Sequence, residues 1–271
     1  IRDRVYTDRA LNHMSRKFQG VMKDMSSMLK EVYHAHSAIV MPGSGTFGME
    51  AVARQFVGGK KAMVVRNGWF SYRWTQIFDM GSIPRESIVH KARQVASGSQ
   101  QPWVPVPIDE LVASIRQHQP DVLFAPHVET SAGMILPDDY LRQAADAVHA
   151  YGGLLVLDCI ASGAIWVNMQ STGVDVLISA PQKGWSGSPG CSFVMLSSHA
   201  REAIERTQSS SFACDLRKWL QVMETYESGS HVYHTTMPTD ALARVCEVMK
   251  ETRADGFQKV CELQWELGRR V

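Results

Sequence analysis

Leu154-Leu155-Val156-Leu157-Asp158 is the stretch from which the rest of the chain can be read. A run that is apolar at every position suits a strand buried on both faces, as in a parallel sheet covered by helices. The run then ends on a carboxylate, which is costly at the end of a buried strand unless a cation or a strong donor meets it. Open α/β sheets bind ligands beyond the carboxyl ends of their strands, so Asp158 is a candidate site residue. A helix cap or an ion pair with a nearby arginine is the purely structural alternative.

Similar short runs recur on either side: Ala38–Met41, Ala62–Val65, Ser87–Val89, Val122–Ala125, Val174–Ile178 and Phe193–Leu196. Between several of them the apolar spacing becomes helical. Ile108, Leu111, Val112 and Ile115 follow the i, i+3, i+4, i+7 rule, and Tyr140, Leu141, Ala144 and Val148 nearly do. Strands alternating with helices predict an α/β domain with three α/β/α layers around a mostly parallel central sheet. Ahead of the first strand, Phe18, Val21, Met22, Met25, Met28, Leu29 and Val32 form one stripe of a long helix, suited to core or subunit contact. Leu242, Val245, Cys246 and Met249 begin another helix, and a charged helical pattern runs on to Val271.

The 271 residues are 45% hydrophobic and 20% charged, with a formal net charge of +1. Such a chain builds a sizeable core and carries no bulk field for nucleic acid or an anionic membrane, so small neutral or zwitterionic ligands are expected. Cys159, Cys191, Cys214, Cys246 and Cys261 are odd in number and form no C-x-x-C pair, which argues against a disulfide framework or a thiolate zinc site. A cytoplasmic setting is the simplest expectation. The longest apolar stretch, Gly152 to Trp166, is broken by Asp158 and is too short to cross a bilayer, and Ile1-Arg2-Asp3-Arg4 shows no signal peptide.

Two further segments carry chemistry. Lys183 is the only lysine between Lys91 and Lys218, and it follows the run ending at Ser179, in Ala180-Pro181-Gln182-Lys183-Gly184-Trp185. An amine where a buried strand opens into a loop can lose hydration, become less basic and condense with an aldehyde; a solvated loop charge is the bland alternative. Gly43-Ser44-Gly45-Thr46-Phe47-Gly48 follows a strand and opens a helix whose free N–H groups suit a phosphate. It also satisfies G-x-G-x-x-G, yet the next strand ends in Arg66-Asn67 rather than the acidic residue a dinucleotide ribose needs. Arg66 keeps a phosphorylated ribose open, as a ligand-free glycine turn also remains. His127 and Glu129 form an H-x-E pair without further ligands in series, so no metal is expected. No G-x-S-x-G elbow occurs.

A phosphate cradle, a buried carboxylate and a lone lysine after a later strand are the parts that pyridoxal phosphate requires. Here the chain resembles the class V, fold type I pyridoxal-phosphate aminotransferases, most closely their alanine–glyoxylate and serine–glyoxylate branch. The resemblance runs from about Pro42 to Pro238. It rests on six ordered motifs: Gly43-Ser44-Gly45-Thr46, Asn67-Gly68-Trp69-Phe70-Ser71-Tyr72-Arg73, His127-Val128-Glu129-Thr130-Ser131-Ala132-Gly133, Asp158-Cys159-Ile160-Ala161-Ser162, Gln182-Lys183, and Tyr233-His234-Thr235-Thr236-Met237-Pro238.

The resemblance implies that Lys183 is the Schiff-base lysine and that Asp158 keeps the pyridine nitrogen protonated. Ser44, Gly45, Thr46 and Gln182 would surround the phosphate. Phe70 would stack on the ring, Ile160 would pack beneath it, and Thr130 would contact the ring hydroxyl region. Tyr233 and Thr236 would reach the phosphate of a second subunit, implying a homodimer. The implied reaction carries an amino group from alanine or serine to glyoxylate or pyruvate by a ping-pong cycle. Residues 1–250 would form the cofactor-binding large domain and 251–271 the start of a C-terminal small domain, the rest of which, with its substrate-carboxylate arginine, is missing. Two alternatives remain: a C–S lyase of the cysteine desulfurase kind using Cys214, and a cofactor-binding dimerisation domain without turnover.

Overall fold

The computed structural model describes residues 11–271, so Ile1–Arg4 lie outside the described residues. Seven strands form the main sheet: β1 (Ser37–Gly43), β2 (Lys61–Arg66), β3 (Glu86–Lys91), β4 (Val122–Pro126), β5 (Leu154–Asp158), β6 (Val176–Ser179) and β7 (Gly190–Leu196). Each contains one of the apolar runs read from the sequence except β6, which starts at Val176, two residues into the run Val174–Ile178. Among the described residues ten helices accompany them: α1 (Arg16–Tyr33), α2 (Gly45–Phe56), α3 (Trp69–Gly81), α4 (Ile108–His118), α5 (Asp138–His149), α6 (Met169–Thr172), α7 (Ser198–Glu205), α8 (Leu216–Glu227), α9 (Thr239–Asp255) and α10 (Phe257–Arg270). Two short ribbons, 93–94 with 103–104 and 128–129 with 134–135, lie outside the sheet.

The strand order is β3-β2-β4-β5-β6-β7-β1. Neighbours from β3 to β6 pair in parallel, whereas β7 runs antiparallel to both β6 and β1. β1 therefore points the same way as β6, and six strands bring their carboxyl ends to one edge. Helices flank this sheet in the expected three-layer arrangement. The central strands β4 and β5 are buried at every position, as their unbroken apolar runs require.

Local signals explain the helices that cover the sheet. Ser15 caps α1 by accepting from the Phe18 N–H, and His34 in the left-handed region ends it. The Phe18-to-Val32 stripe is buried, and α1 packs against α8, α9 and β1. Each such large side chain contributes about 1.5–3 kcal/mol relative to exposure. Asp138 and Asp139 sit in the first turn of α5 and His149 in its last, with the sign that the helix dipole favours. No helix among the described residues is long and apolar enough to cross a membrane.

Candidate cofactor site at the carboxyl edge of the sheet

The parallel strands deliver the candidate residues to the same edge. β1 ends at Gly43, whose φ of +120° and whose contact with the Phe47 ring, 2.7 Å from where a Cβ would stand, require glycine. Ser44 then caps α2 in an extended conformation without a side-chain capping bond. The first-turn N–H groups of a helix lack internal acceptors, so Gly45 and Thr46 present donors to an anion. The Thr46 hydroxyl accepts from Arg73 Nη1 at 3.1 Å, which adds a cation to this end of the helix.

Arg73 belongs to α3, whose start is organised by Glu129. One oxygen of this buried carboxylate accepts from the Phe70 N–H at 3.1 Å and the Ser131 hydroxyl at 2.6 Å. The other accepts from the Ser71 N–H at 2.9 Å and the Ser71 hydroxyl at 2.6 Å. Burial alone would raise the pKa of Glu129, but these bonds outweigh it and hold the carboxyl below its ordinary range. Phe70 is thereby fixed at the helix start, partly exposed, with the Arg73 guanidinium 5.8 Å from its ring centroid. Glu129 is thus a capping group, while the His127 ring engages the Ser162 hydroxyl at 2.7 Å. The H-x-E pair performs two separate structural tasks.

Asp158 closes β5 with its side chain buried. Its Oδ1 accepts from the Ile160 N–H at 2.9 Å, and among the described residues no cation forms an ion pair with it. Burial pushes its pKa up to about 6, while that hydrogen bond and the Arg73 charge oppose the rise and the Glu129 charge adds to it. A carboxylate buried in this way is costly when ionised unless a cation or a strong donor meets it. Ile160 lies against the start of α2, its Cδ1 only 2.5 Å from where a Cβ on Gly45 would stand. Glycine at 45 therefore lets the loop after β5 meet the phosphate-type helix start.

The loop after β6 carries Gln182 and Lys183, both exposed. It is closed by Ser186 N–H donating to the Lys183 carbonyl at 3.0 Å and Gly187 N–H donating to that of Pro181 at 2.8 Å. A Cβ on Gly184 would fall 1.9 Å from the Gly163 carbonyl oxygen, so the loops bearing Asp158 and Lys183 abut with no room for a side chain. Trp185 anchors this contact, buried 4.7 Å from the Trp166 ring and 5.8 Å from that of Phe257.

Ser44, Gly45, Thr46, Phe70, Asp158, Ile160, Gln182 and Lys183 thus follow the carboxyl ends of β1, β2, β5 and β6. Thr130 is exposed in the turn after Glu129. Tyr233 and Thr236 lie in the loop between α8 and α9, exposed, their hydroxyls 3.3 Å apart. Among the described residues neither hydroxyl bonds to Ser44, Thr46, Gln182 or Lys183. Sequence reasoning quoted Arg73 within a motif without giving it a role, and spacing gave no sign of its contact with Thr46. A cavity of about 400 Å³ beside the start of α3, lined by Asn67, Gly68, Trp69, Tyr72, Lys91 and Trp103 among others, includes neither Asp158 nor Lys183.

The dinucleotide alternative does not survive the topology. In that fold the glycine-rich turn follows a central strand flanked by parallel neighbours, whereas β1 is an edge strand paired only with antiparallel β7. Arg66 donates to Thr75 Oγ1 and lies over the Tyr72 ring at 4.8 Å, so it is engaged by the following helix α3.

Comparison with known proteins bears on the fold. No family model matches the chain. The soluble hydrogenase small subunit of Synechococcus sp. (strain PCC 6716) is 26% identical, aligned over 92% of the chain and 62% of that protein. Rat alanine–glyoxylate aminotransferase is 27% identical over 86% of the chain and 55% of its own length. Among solved structures, alanine–glyoxylate aminotransferase from Nostoc sp. superposes with a TM-score of 0.78 at 24% identity, covering 93% of the chain and 64% of that structure. The chain therefore spans somewhat over half the length of these relatives.

The fold is that of the type I pyridoxal-phosphate-dependent transferases. L-aspartate–glyoxylate aminotransferase of Paracoccus denitrificans (strain Pd 1222) is 28% identical over 76% of the chain and 51% of its own length.

Proposed function

We propose that this chain is the cofactor-binding part of a pyridoxal-phosphate-dependent aminotransferase. Its reaction moves an amino group from a small amino acid, alanine or serine, to a 2-oxo acid such as glyoxylate or pyruvate. The observation that carries this reading is Asp158, a buried carboxylate without a protein cation, at the end of a strand whose following loop abuts the loop of Lys183. The donor set fits the cofactor: hydroxyls and helix-start N–H groups at Ser44, Gly45 and Thr46, with Gln182, for its phosphate, an aromatic face at Phe70, and an acceptor at Asp158. When bound, the group supplies an electron-withdrawing ring and a carbonyl that carries the amino group between donor and acceptor, as a ping-pong cycle requires.

The chain's own residues divide the remaining work. Asp158 holds a proton on the ring nitrogen, and in doing so gains the cationic partner its burial calls for. Lys183 tethers the cofactor and moves a proton at the substrate α-carbon. Arg73, bonded to Thr46, adds positive charge beside the phosphate position. Phe70 would stack on the ring, Ile160 would pack beneath it, and Thr130 would contact its hydroxyl region.

Tyr233 and Thr236, exposed and paired with each other, suit contact with the phosphate of a second copy, and we propose a homodimer on that basis. Five free cysteines suit a reducing cytoplasm. Residues 1–250 are assigned to the cofactor domain and 251–271 to the start of a smaller one, with the nearest helix break at Gly256. The C–S lyase reading gains nothing from Cys214. Burial raises its thiol pKa, against the easily formed thiolate that such chemistry needs.

The test is reconstitution of the full-length protein with pyridoxal phosphate, followed by gel filtration and an alanine–glyoxylate assay. The parent is expected to stay yellow and to form glycine. Lys183→Ala is expected to lose turnover; equal rates in the two proteins would end the proposal.

A further inference from the structure

At the opposite edge of the sheet, a cavity of about 580 Å³ is lined by His34, His36, His149, Asp175, Ser197 and His199 among others. Asp175 leads into β6, and 3% of its side chain is exposed. Its Oδ2 accepts from the Leu155 N–H at 2.9 Å and lies 2.6 Å from His149 Nε2. Its Oδ1 accepts from the Ser197 hydroxyl at 3.0 Å and lies 3.3 Å from His199 Nδ1. The two imidazole rings meet edge to face, with centroids 5.6 Å apart. One ligand atom from each of His149, Asp175 and His199 lies within 4.8 Å of the other two.

We propose that His149, Asp175 and His199 bind a divalent transition ion of the zinc type. Metal–ligand bonds of about 2.0–2.2 Å in a tetrahedral site set ligand atoms roughly 3.4 Å apart, so the cluster reaches that geometry by small side-chain movements. Two imidazoles and one carboxylate select Zn²⁺, Ni²⁺ or Co²⁺ over Mg²⁺ and Ca²⁺, which take all-oxygen shells. The Leu155 N–H and Ser197 hydroxyl already orient Asp175, the kind of outer support that ligating carboxylates have. The fourth position opens to the cavity, where His34 and His36 also lie.

Imidazole ligates in its neutral form, so binding releases any proton the two histidines carry. The ion would tie α5, the entry to β6 and the start of α7, segments separated by 26 and 24 positions. This explains why no ligand spacing shows in the sequence. The site stands apart from the cofactor reading: Asp175 and Lys183 lie beyond opposite ends of β6.

The experiment uses the whole chain stripped with chelator and then dialysed. Zn²⁺ alone is titrated by calorimetry and Co²⁺ alone by visible absorption. One equivalent of Co²⁺ with ligand-field bands is expected, with Zn²⁺ raising the Tm. His199→Ala, which alters a side chain 40% exposed, is expected to weaken binding at least about tenfold and to abolish the Tm shift. His90→Ala, on β3, is expected to leave both intact. Absence of stoichiometric binding, or equal binding by the parent and His199→Ala, would overturn the proposal. Asp175→Asn adds a second readout, and should it fail to fold, His199→Ala decides alone.

Discussion

The backbone N–H of His127 donates to the carbonyl of Asp158 at 2.8 Å, so adjacent strand ends hold two buried titratable side chains. Burial lowers the imidazole to about 4 and raises the carboxyl to about 6. Both shifts favour the neutral form. Around neutral pH it is the carboxylate that bears the electrostatic cost.

Asp158→Asn is therefore expected to stabilise the cofactor-free protein. The folded pKa of about 6 lies above the ordinary 3.8, so the native state keeps a proton that the unfolded chain releases. Stability falls as pH rises through this window, and the penalty, at most about 3 kcal/mol, is complete above it. Thermal melts without cofactor should show a higher Tm for the variant at pH 8 and little difference at pH 4. The same change is expected to leave the cofactor bound while slowing turnover at least about a hundredfold.

His127 predicts the opposite slope. Its folded pKa lies below the ordinary 6.5, so stability is lost as pH falls from about 6.5 towards 4, where the unfolded chain takes up the proton first. Urea midpoints measured across that range should decline less steeply in His127→Asn than in the parent.

Removal of the Glu129 carboxylate strands the Phe70 and Ser71 N–H groups and two hydroxyls. Glu129→Ala is expected to cost about 2–3 kcal/mol in urea unfolding, and Glu129→Gln less, because an acceptor oxygen remains. Loss of Phe70 order should accompany the larger effect, read as faster cofactor dissociation.

Gly184→Ala must push apart the loops that carry Asp158 and Lys183, since its methyl would overlap the Gly163 carbonyl. Cofactor retention on gel filtration is expected to fall. Gly20→Ala, in the middle of α1 with nothing within 4 Å of the new methyl, is expected to stabilise the fold by about 0.5–1 kcal/mol.

The inner strands were legible because their runs are apolar on both faces, a pattern that needs no partner to be recognised, whereas edge strand β3 offered only Ile88 and Val89 between polar residues. The reversal of β7 was not, since Phe193-Val194-Met195-Leu196 reads alike in either direction. The covered stripe of α1 was visible in its spacing. α3 was not read as a helix, because Trp69-Phe70-Ser71-Tyr72-Arg73 lacks an N-cap of its own and borrows one from Glu129, across the sheet order. Asp158 and Lys183 stood out by their position after apolar runs. Arg73 and the His149–Asp175–His199 cluster depend on contacts between distant segments, which no local spacing encodes.

The antiparallel seventh strand also governs the order of assembly. Ser37 pairs with Leu196 and Gly43 with Gly190, so β1 has no hydrogen-bonding partner in the sheet until synthesis has passed Leu196. Pairing of segments about 150 residues apart is a non-local closure of the kind that slows folding. The Ser44 turn, which β1 delivers, is consequently expected to take shape only once β7 has docked beside it.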